Sequence, residues 1–408
     1  KMMPTKYTKW KILLFSFFQL GAWAQSTAPT NDVKLSPLPY YNFGKGVGLT
    51  SPDSLFQFNI RFRMQNRASF AQNTAGENAV DAQIRRLRLR FDGFVGNPQF
   101  LYVIQLSFAP GDVGTIEEGS NLNVIRDAAF IYRPNEKWNV IFGQTKIPGN
   151  RQRINSSGAL QLSDRTINNA RFNIDRDFGV QVYYQQEQAD VFSYALKTAI
   201  TTGEGRNYTD SPDDGLAYTG KIEVFPLGAF TANGTFFEGD LAYETNPKLL
   251  VSAAYHYNHK ARKSQGVLGE LLAERRNIQS FLADMMLKYK GFAWQAAYMN
   301  RQIGHQSAWV PAVDGKSNFV YTGQGFDLQP SYHFPSNYEL IARYSYLIPT
   351  EEIRAATPKQ QQWTLGLTKY YWEHAFKIQS EINFDQYQFL SAAQKTAWYV
   401  RFQIEMGI

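Results

Sequence analysis

Residues 55–67, LFQFNIRFRMQNR, alternate without a break: Phe56, Phe58, Ile60, Phe62 and Met64 share one parity, while Gln57, Asn59, Arg61, Arg63, Gln65 and Arg67 share the other. Successive side chains of a strand point to opposite faces, so a period of two predicts a strand with one apolar and one polar face. Residues 83–94, QIRRLRLRFDGF, repeat the pattern, with Leu87, Leu89 and Phe91 against Arg86, Arg88 and Arg90. The same reading places strands near 99–109, 123–133, 137–147, 176–186, 190–201, 217–225 and 248–260. Others fall near 277–289, 292–302, 323–334, 338–348, 359–371, 374–386 and 396–408, sixteen in all. Most have the ~9–11 residues that a tilted membrane-crossing strand needs, or slightly more.

The connections alternate in length. Short ones fall at 96–98, 134–136, near 188–190, and at 290–291, 335–337 and 372–374; long ones lie near 69–82, 110–122, 148–175, 202–216, 261–276, 303–322, 349–358 and 387–395. An even strand count with short turns at one end and long loops at the other predicts an all-β fold, a 16-stranded antiparallel transmembrane β-barrel. Residues 226–247 break the rule, because a short turn is due there. Either this is an elaborated turn on the periplasmic side or the strand count fails at that point. Aromatics gather at the short-turn ends (Phe94, Phe100, Tyr102, Tyr132, Trp138, Phe334, Tyr338, Tyr370, Tyr371 and Trp372). That is where an interfacial girdle belongs.

Composition narrows the picture. Lys6, Lys9 and Lys11 precede the apolar run Ile12–Leu20 and the small-residue site Ala22-Trp23-Ala24, which reads as a secretory signal peptide over residues 1–24 cut before Gln25. Residues 25–54 read as a loose periplasmic leader and residues 55–408 as the barrel. Loss of the signal removes four lysines and takes the formal charge from +7 to +3, so the basic balance points to no nucleic-acid partner. There is no cysteine, hence neither a disulfide framework nor a thiolate metal site. No later run of about 18 apolar residues exists, and a chain that enters a bilayer without one must do so as a barrel.

An arginine facing lipid costs ~2–4 kcal/mol at the midplane. Arg61, Arg63, Arg67, Arg86, Arg88 and Arg90 share the polar parity of adjacent strands, so a one-residue slip would expose all six to lipid at a cost on the order of 10 kcal/mol or more. They are expected to face the lumen, where water solvates them. Counted by parity over the whole wall, thirteen basic residues stand against seven acidic ones, with the parity at Asp127 uncertain. In later strands the charges come as near pairs: Lys221 with Glu223, Asp284 with Lys288, Glu339 with Arg343, Lys377 with Glu381, Arg401 with Glu405. In the first two strands six arginines meet only Asp92. A pore with one electropositive side favours anions. The competing reading is a transverse field between this wall and acids on a constriction loop, with little net selectivity. The loop 148–175 carries Arg151, Arg153, Arg165 and Arg171 against Asp164 and Asp175, which weakens that reading without removing it.

These segments resemble the phosphate-selective porins O and P. The resemblance is carried by GKGVGLTSPDSLFQFNIRFRMQ at 44–65, QIRRLRLRFDGFVGNPQFLYVIQLSF at 83–108, IRDAAFIYRPNEKWNVIFGQTKIPGNRQR at 125–153, AYTGKIEVFPLG at 217–228, GDLAYE at 239–244 and YELIARYSY at 338–346. It implies an outer-membrane porin of bacteria embedded in outer-membrane lipid, usually a homotrimer, whose long loop after strand five folds into the lumen as a constriction near 148–175. It also implies an arginine ladder feeding an anion site, with small anionic solutes, phosphate or polyphosphate among them, as the cargo. By position Arg85 and Arg86 resemble ladder members, and Lys146, Arg151 and Arg153 the base and tip of the constriction loop. Two features depart from the pattern. The loop near 261–276 offers only HKARK at 259–263 in place of a lysine cluster, and the sequence ends in Ile408 rather than an aromatic.

Other chemistry finds little support. GKGVG at 44–48 lacks the Lys-Ser/Thr pair of a nucleotide loop. His256 and His259 could ligate a metal but have no Cys or carboxylate pair nearby. TDSPDD at 209–214 is acidic without the spacing of a calcium loop. A lipase-type barrel enzyme would need a Ser-His pair on the lipid face, and none of the five histidines offers one. No enzyme activity and no cofactor is therefore expected. A general non-selective porin and a non-conducting scaffold barrel of a surface or secretion complex remain open beside the anion pore.

Overall fold

The computed structural model describes residues 46–113, 123–208, 215–313 and 316–408. The expected signal peptide, residues 25–45 of the leader and the acidic stretch 209–214 lie outside them. Sixteen strands follow one another round a barrel. The first six are β1 (Phe56–Gln72), β2 (Asn78–Val95), β3 (Asn97–Ser107), β4 (Ile125–Tyr132), β5 (Trp138–Lys146) and β6 (Arg176–Gln186). Next come β7 (Ser193–Thr201), β8 (Ala217–Phe225), β9 (Lys248–Lys263), β10 (Leu271–Tyr289) and β11 (Phe292–Gln302). The last five are β12 (Gly323–His333), β13 (Tyr338–Pro349), β14 (Lys359–Trp372), β15 (Phe376–Gln388) and β16 (Lys395–Gly407). Each predicted strand has its counterpart. Neighbours pair antiparallel, and β16 returns to β1, with Trp398 opposite Gln72 and Gly407 opposite Arg63, so the sheet closes. Closure is what lets strands cross a bilayer, since it leaves no edge of unpaired backbone groups in lipid.

Two additions were not legible as strands. Val47–Thr50, inside the segment read as a loose leader, pairs with β1 from Val47 opposite Ile60 to Thr50 opposite Gln57. It takes the edge of β1 that β16, ending opposite Arg63, leaves open. Trp309–Val313 and Lys316–Phe319 form a small separate hairpin in the loop between β11 and β12.

The outer face carries exposed Phe130, Phe142, Leu196, Ile222, Leu365 and Ile382, among others, as a lipid-facing band requires. Of the predicted girdle, Phe100, Tyr132, Trp138, Phe334, Tyr338, Tyr371 and Trp372 are exposed. Tyr102 is half-buried, and Phe94 and Tyr370 are buried. Phe94 packs inward with Leu101, Val103 and Ile131, and Tyr370 donates its hydroxyl hydrogen to Glu339 at 2.6 Å inside the barrel. Both lie on the inward parity of their strands, and proximity to a turn does not change which way a side chain points.

The lumen is partly filled. Residues 147–175 fold into it and fasten to the strands across from β1 and β2. Ile147, Phe172 and Ile174 pack with Ala199, Leu282, Met299 and Leu347. Further along, Lys377 Nζ donates to the carbonyls of Gly158 and Leu160, Ser163 N–H donates to Glu381 at 2.9 Å, and Thr166 Oγ1 to Asp327 at 2.9 Å.

Candidate functional site

The β1–β2 pair sets the site. Arg61 lies opposite Arg90, Arg63 opposite Arg88 and Gln65 opposite Arg86. Like charges directly opposite repel, so their persistence requires counter-charges or water. Beyond Gln65 the register shifts: Asn66 pairs with Ile84, and Arg85 has no partner strand residue. This β-bulge lets two consecutive residues turn the same way. Arg85 and Arg86 both reach Asp164 of the lumen segment, at 2.7 and 3.1 Å, while Ile84 and Leu87 stay on the lipid side of the ladder. A second bulge, between Gln105–Asp127 and Leu106–Ile125, skips Arg126. It turns both Arg126 and Asp127 inward, where they are buried. Strict parity could not resolve either place.

The counter-charges come mostly from outside the strands. Asp164 takes Arg67, Arg85, Arg86 and, at 3.6 Å, Arg401, and its carbonyl accepts from Arg343 at 2.9 Å. Asp112, on the short helix α1 (Pro110–Val113), takes Arg88 at 2.5 Å and Arg126 at 3.0 Å. Asp92 takes Arg61 at 3.2 Å and Arg90 at 2.9 Å. Burial alone would raise the two loop carboxyls, but Arg86, Arg85 and Arg67 around Asp164, and Arg88 and Arg126 around Asp112, hold both below the ordinary carboxylate range. The near pairs expected in later strands do not form as read, apart from Lys221–Glu223 at 3.1 Å. Residues four apart in a strand are ~13 Å apart along it, so partners are taken across strands: Lys377 with Glu405 at 3.5 Å, Arg401 with Glu381 at 3.7 Å.

The loop residues divide. The lumen segment contains α2 (Arg151–Ile154), a single 3₁₀ turn at Ser157–Ala159, and α3 (Ile167–Phe172), whose N-cap Thr166 accepts from Asn169 N–H at 3.0 Å. Arg153 pairs with Asp175 at 2.6 Å on the arginine side. Arg151 points away from that side and pairs with Glu223 of β8, its N–H donating to Asp284 of β10. Lys146, at the end of β5, donates to the carbonyls of Ile154 and Asn155 at 2.7 and 2.9 Å. Arg63 is held by Ser156 and Ser157 at 2.7 and 3.1 Å.

Three cavities follow the arginines. One of about 180 Å³ is lined by Arg85, Arg86, Arg88, Arg126, Arg153, Arg165, Arg176, Arg206 and Lys146, with only Asp112 and Asp175 as acids. A second, of about 320 Å³, shares Arg85, Arg86, Arg153 and Arg165 and adds Asp164, Gln362, Tyr399 and Arg401. A third, of about 30 Å³, shares Arg88 with the first and reaches Arg61, Arg63, Arg90 and Ile408 at the short-turn end. Five donors per guanidinium against two acids leave N–H groups to spare: Arg206 Nη1 is buried without a hydrogen-bond partner. Arg126, Arg176 and Arg206 escaped the sequence reading. The charged doublets Arg85-Arg86 and Arg126-Asp127 inside alternating strands were the signal available for bulges.

The described residues contain no group of three potential metal ligands, and no helix is long and apolar enough to cross a membrane, which says nothing of the strands. No curated protein matches the chain. Its fold is similar to those of the anion-selective porin from Comamonas acidovorans (10% identity, 86% of this chain and 100% of that one, TM-score 0.54) and the outer-membrane channel DcaP of Acinetobacter baumannii (14%, 88% and 99%, 0.53). It is likewise similar to OmpF of Salmonella typhi, solved with daunomycin (13%, 88% and 100%, 0.53). Family and fold are those of a channel rather than an enzyme. The model of the family described as phosphate-selective porin O and P matches residues 57–384, so the chain belongs to that family and is a porin of the bacterial outer membrane.

Proposed function

We propose that this porin passes small anionic solutes by passive diffusion, phosphate-bearing ones among them, along the β1–β6 side of the lumen. The observation that carries the reading is the run of three cavities sharing arginines, in which cations outnumber carboxylates nine to two in the 180 Å³ cavity. Arg61, Arg63, Arg67, Arg85, Arg86, Arg88 and Arg90 form the electropositive wall, with Lys146 and Arg153 facing them from the strand end and the lumen segment. Arg151 acts by fixing that segment to Glu223. A wall of this kind raises the local anion concentration and replaces part of an anion's hydration shell with N–H donors. The Comamonas acidovorans protein of similar fold is an anion-selective porin, which agrees with this reading, and the family resemblance implies a homotrimer as the working unit. The test is the reversal potential of the purified protein in a planar bilayer under a KCl gradient. A potential on the chloride side, with conductance reduced by added phosphate, supports the reading; a potential at zero or on the potassium side overturns it.

A further inference from the structure

The connection 226–247 is the one turn that departs from the short-turn rule. The β8–β9 hairpin does not need it: Val224 already lies opposite Val251, so a few residues would close the turn. The extra chain instead folds into the barrel from the short-turn end and is bolted there. Lys288 Nζ donates to the carbonyls of Gly234, Phe237 and Gly239 at 2.7, 3.0 and 2.6 Å. Asp240 accepts from Gly291 N–H at 2.8 Å, and Tyr243 donates its hydroxyl hydrogen to the His333 carbonyl at 2.8 Å. Phe230 packs with Phe225, Leu250 and Met286 at its base.

Inside, this insert meets the segment that enters from the other end. Glu238 accepts from Gln161 N–H and from Gln152 Nε2, both at 2.9 Å, and its own N–H faces the Ala159 carbonyl at 3.3 Å. The wall beneath the junction bears both signs, Asp327 and Glu339 standing among the buried cations Lys288, Arg343 and Lys377. Asp327 binds Thr166 and Asn168, and Glu339 binds Gln161, Ser331 and Tyr370. Neither carboxylate has an ion-pair partner within 4 Å among the described residues, and Glu339 is fully buried. Gly239 sits so close that a Cβ there would lie 2.4 Å from Glu339 Oε1.

We propose that the 226–247 insert is a selectivity-determining element: together with the lumen segment it closes the half of the lumen whose wall carries both signs of charge, leaving the arginine-lined half as the conducting route. An open water path along a wall of mixed charge would have little preference of its own, and in parallel with the arginine path it would dilute the pore's net preference. Selectivity on this account depends as much on which wall is covered as on the wall that is exposed. The inference rests on the channel reading above but is separable from it, because wild-type potential tests that reading and the change on opening the far half tests this one.

The experiment replaces residues 226–247 with a short Asn-Gly turn and records the variant in planar bilayers beside the wild type. Higher conductance with a reversal potential moved from the chloride side toward zero is expected. Unchanged conductance and potential in a folded variant overturn the proposal. If that variant does not fold, the full-length chain answers the question, since it has no native cysteine. Ser331→Cys on the covered wall and Gln362→Cys on the 320 Å³ cavity are treated with a cationic methanethiosulfonate. Modification of Ser331→Cys slower by on the order of tenfold or more is expected of a site reached only through local opening; equal rates overturn the proposal.

Discussion

The wall of β1–β6 and the wall of β8–β15 are made from the same alternating pattern and carry similar numbers of charges, yet one lines space and the other is covered. The difference lies in what faces them. On the covered side charges find backbone or neutral complements beside their ion pairs: Lys377 the carbonyls of Gly158 and Leu160, Arg301 those of Arg171 and Asn173, Glu381 the N–H of Ser163. On the arginine side the guanidiniums converge on a few carboxylates, Asp92, Asp112 and Asp164, and donors exceed acceptors. Charge on a lumen wall therefore does not by itself say whether the wall conducts. A matched set of hydrogen bonds makes it a seat for chain, and an unmatched set leaves it for water and solute.

The comparison breaks most visibly where Asp164 gathers its arginines. A charge ~7 Å from a passing ion in water contributes ~0.6 kcal/mol. The triple variant Arg67→Ala, Arg85→Ala, Arg86→Ala should therefore cost an anion about 2 kcal/mol, roughly a twentyfold loss in chloride occupancy with an opposite gain for potassium, at low salt and less at high salt. The reversal potential measures it, and a potential unmoved by the triple change would remove these residues from the conducting path. A smaller effect of another kind is expected across the lumen. Thr368 donates to the Gln161 carbonyl at 2.7 Å from the covered wall. Thr368→Val deletes that bond at about 1 kcal/mol of stability, read as an earlier loss of the folded band on heating, with reversal potential unchanged. A shifted potential there would mean that the covered wall conducts.

Most of the frame was legible because period two survives in a barrel: one face meets lipid and the other does not, so all sixteen strands and the inward set of six arginines follow from parity. What parity hides is any place where the backbone adds a residue. Arg85 and Arg126 turn inward only because bulges at Gln65/Asn66 and Gln105/Leu106 absorb them, and a charged doublet that breaks the alternation is the one trace such a bulge leaves in the pattern. The same limit applies to partners at long range. Asp112 and Asp164 stand on loop segments that reach Arg88 and Arg86 across folded space, and Arg151, grouped with Arg153 by adjacency, lies about half a helical turn from it and points toward Glu223. The unusual length of 226–247 was visible; its inward direction was not, because it depends on Lys288, whose expected partner Asp284 is instead taken by Arg151 N–H.

The smallest expected effect concerns Asp164 and pH. Its carboxyl is lower in the folded chain than the ordinary value of 3.8, because burial, which would raise it, is outweighed by Arg86, Arg85 and Arg67. A depressed carboxyl contributes stability that is fully present above its unfolded value and lost only as pH falls through the folded one. Between pH 7 and about 4 Asp164 thus stays ionised and keeps its arginines gathered, and it contributes no drift in reversal potential over that range. Asp164→Asn removes the charge at every pH and should raise chloride occupancy about threefold, the ~0.6 kcal/mol of one charge at that distance. The variant then shows at pH 7 the potential that wild type approaches only below pH 3.8. A wild-type potential that already climbs between pH 6 and 5, and does so equally in Asp164→Asn, would place the controlling carboxylate elsewhere on the route and narrow the arginine side's claim to be the whole of it.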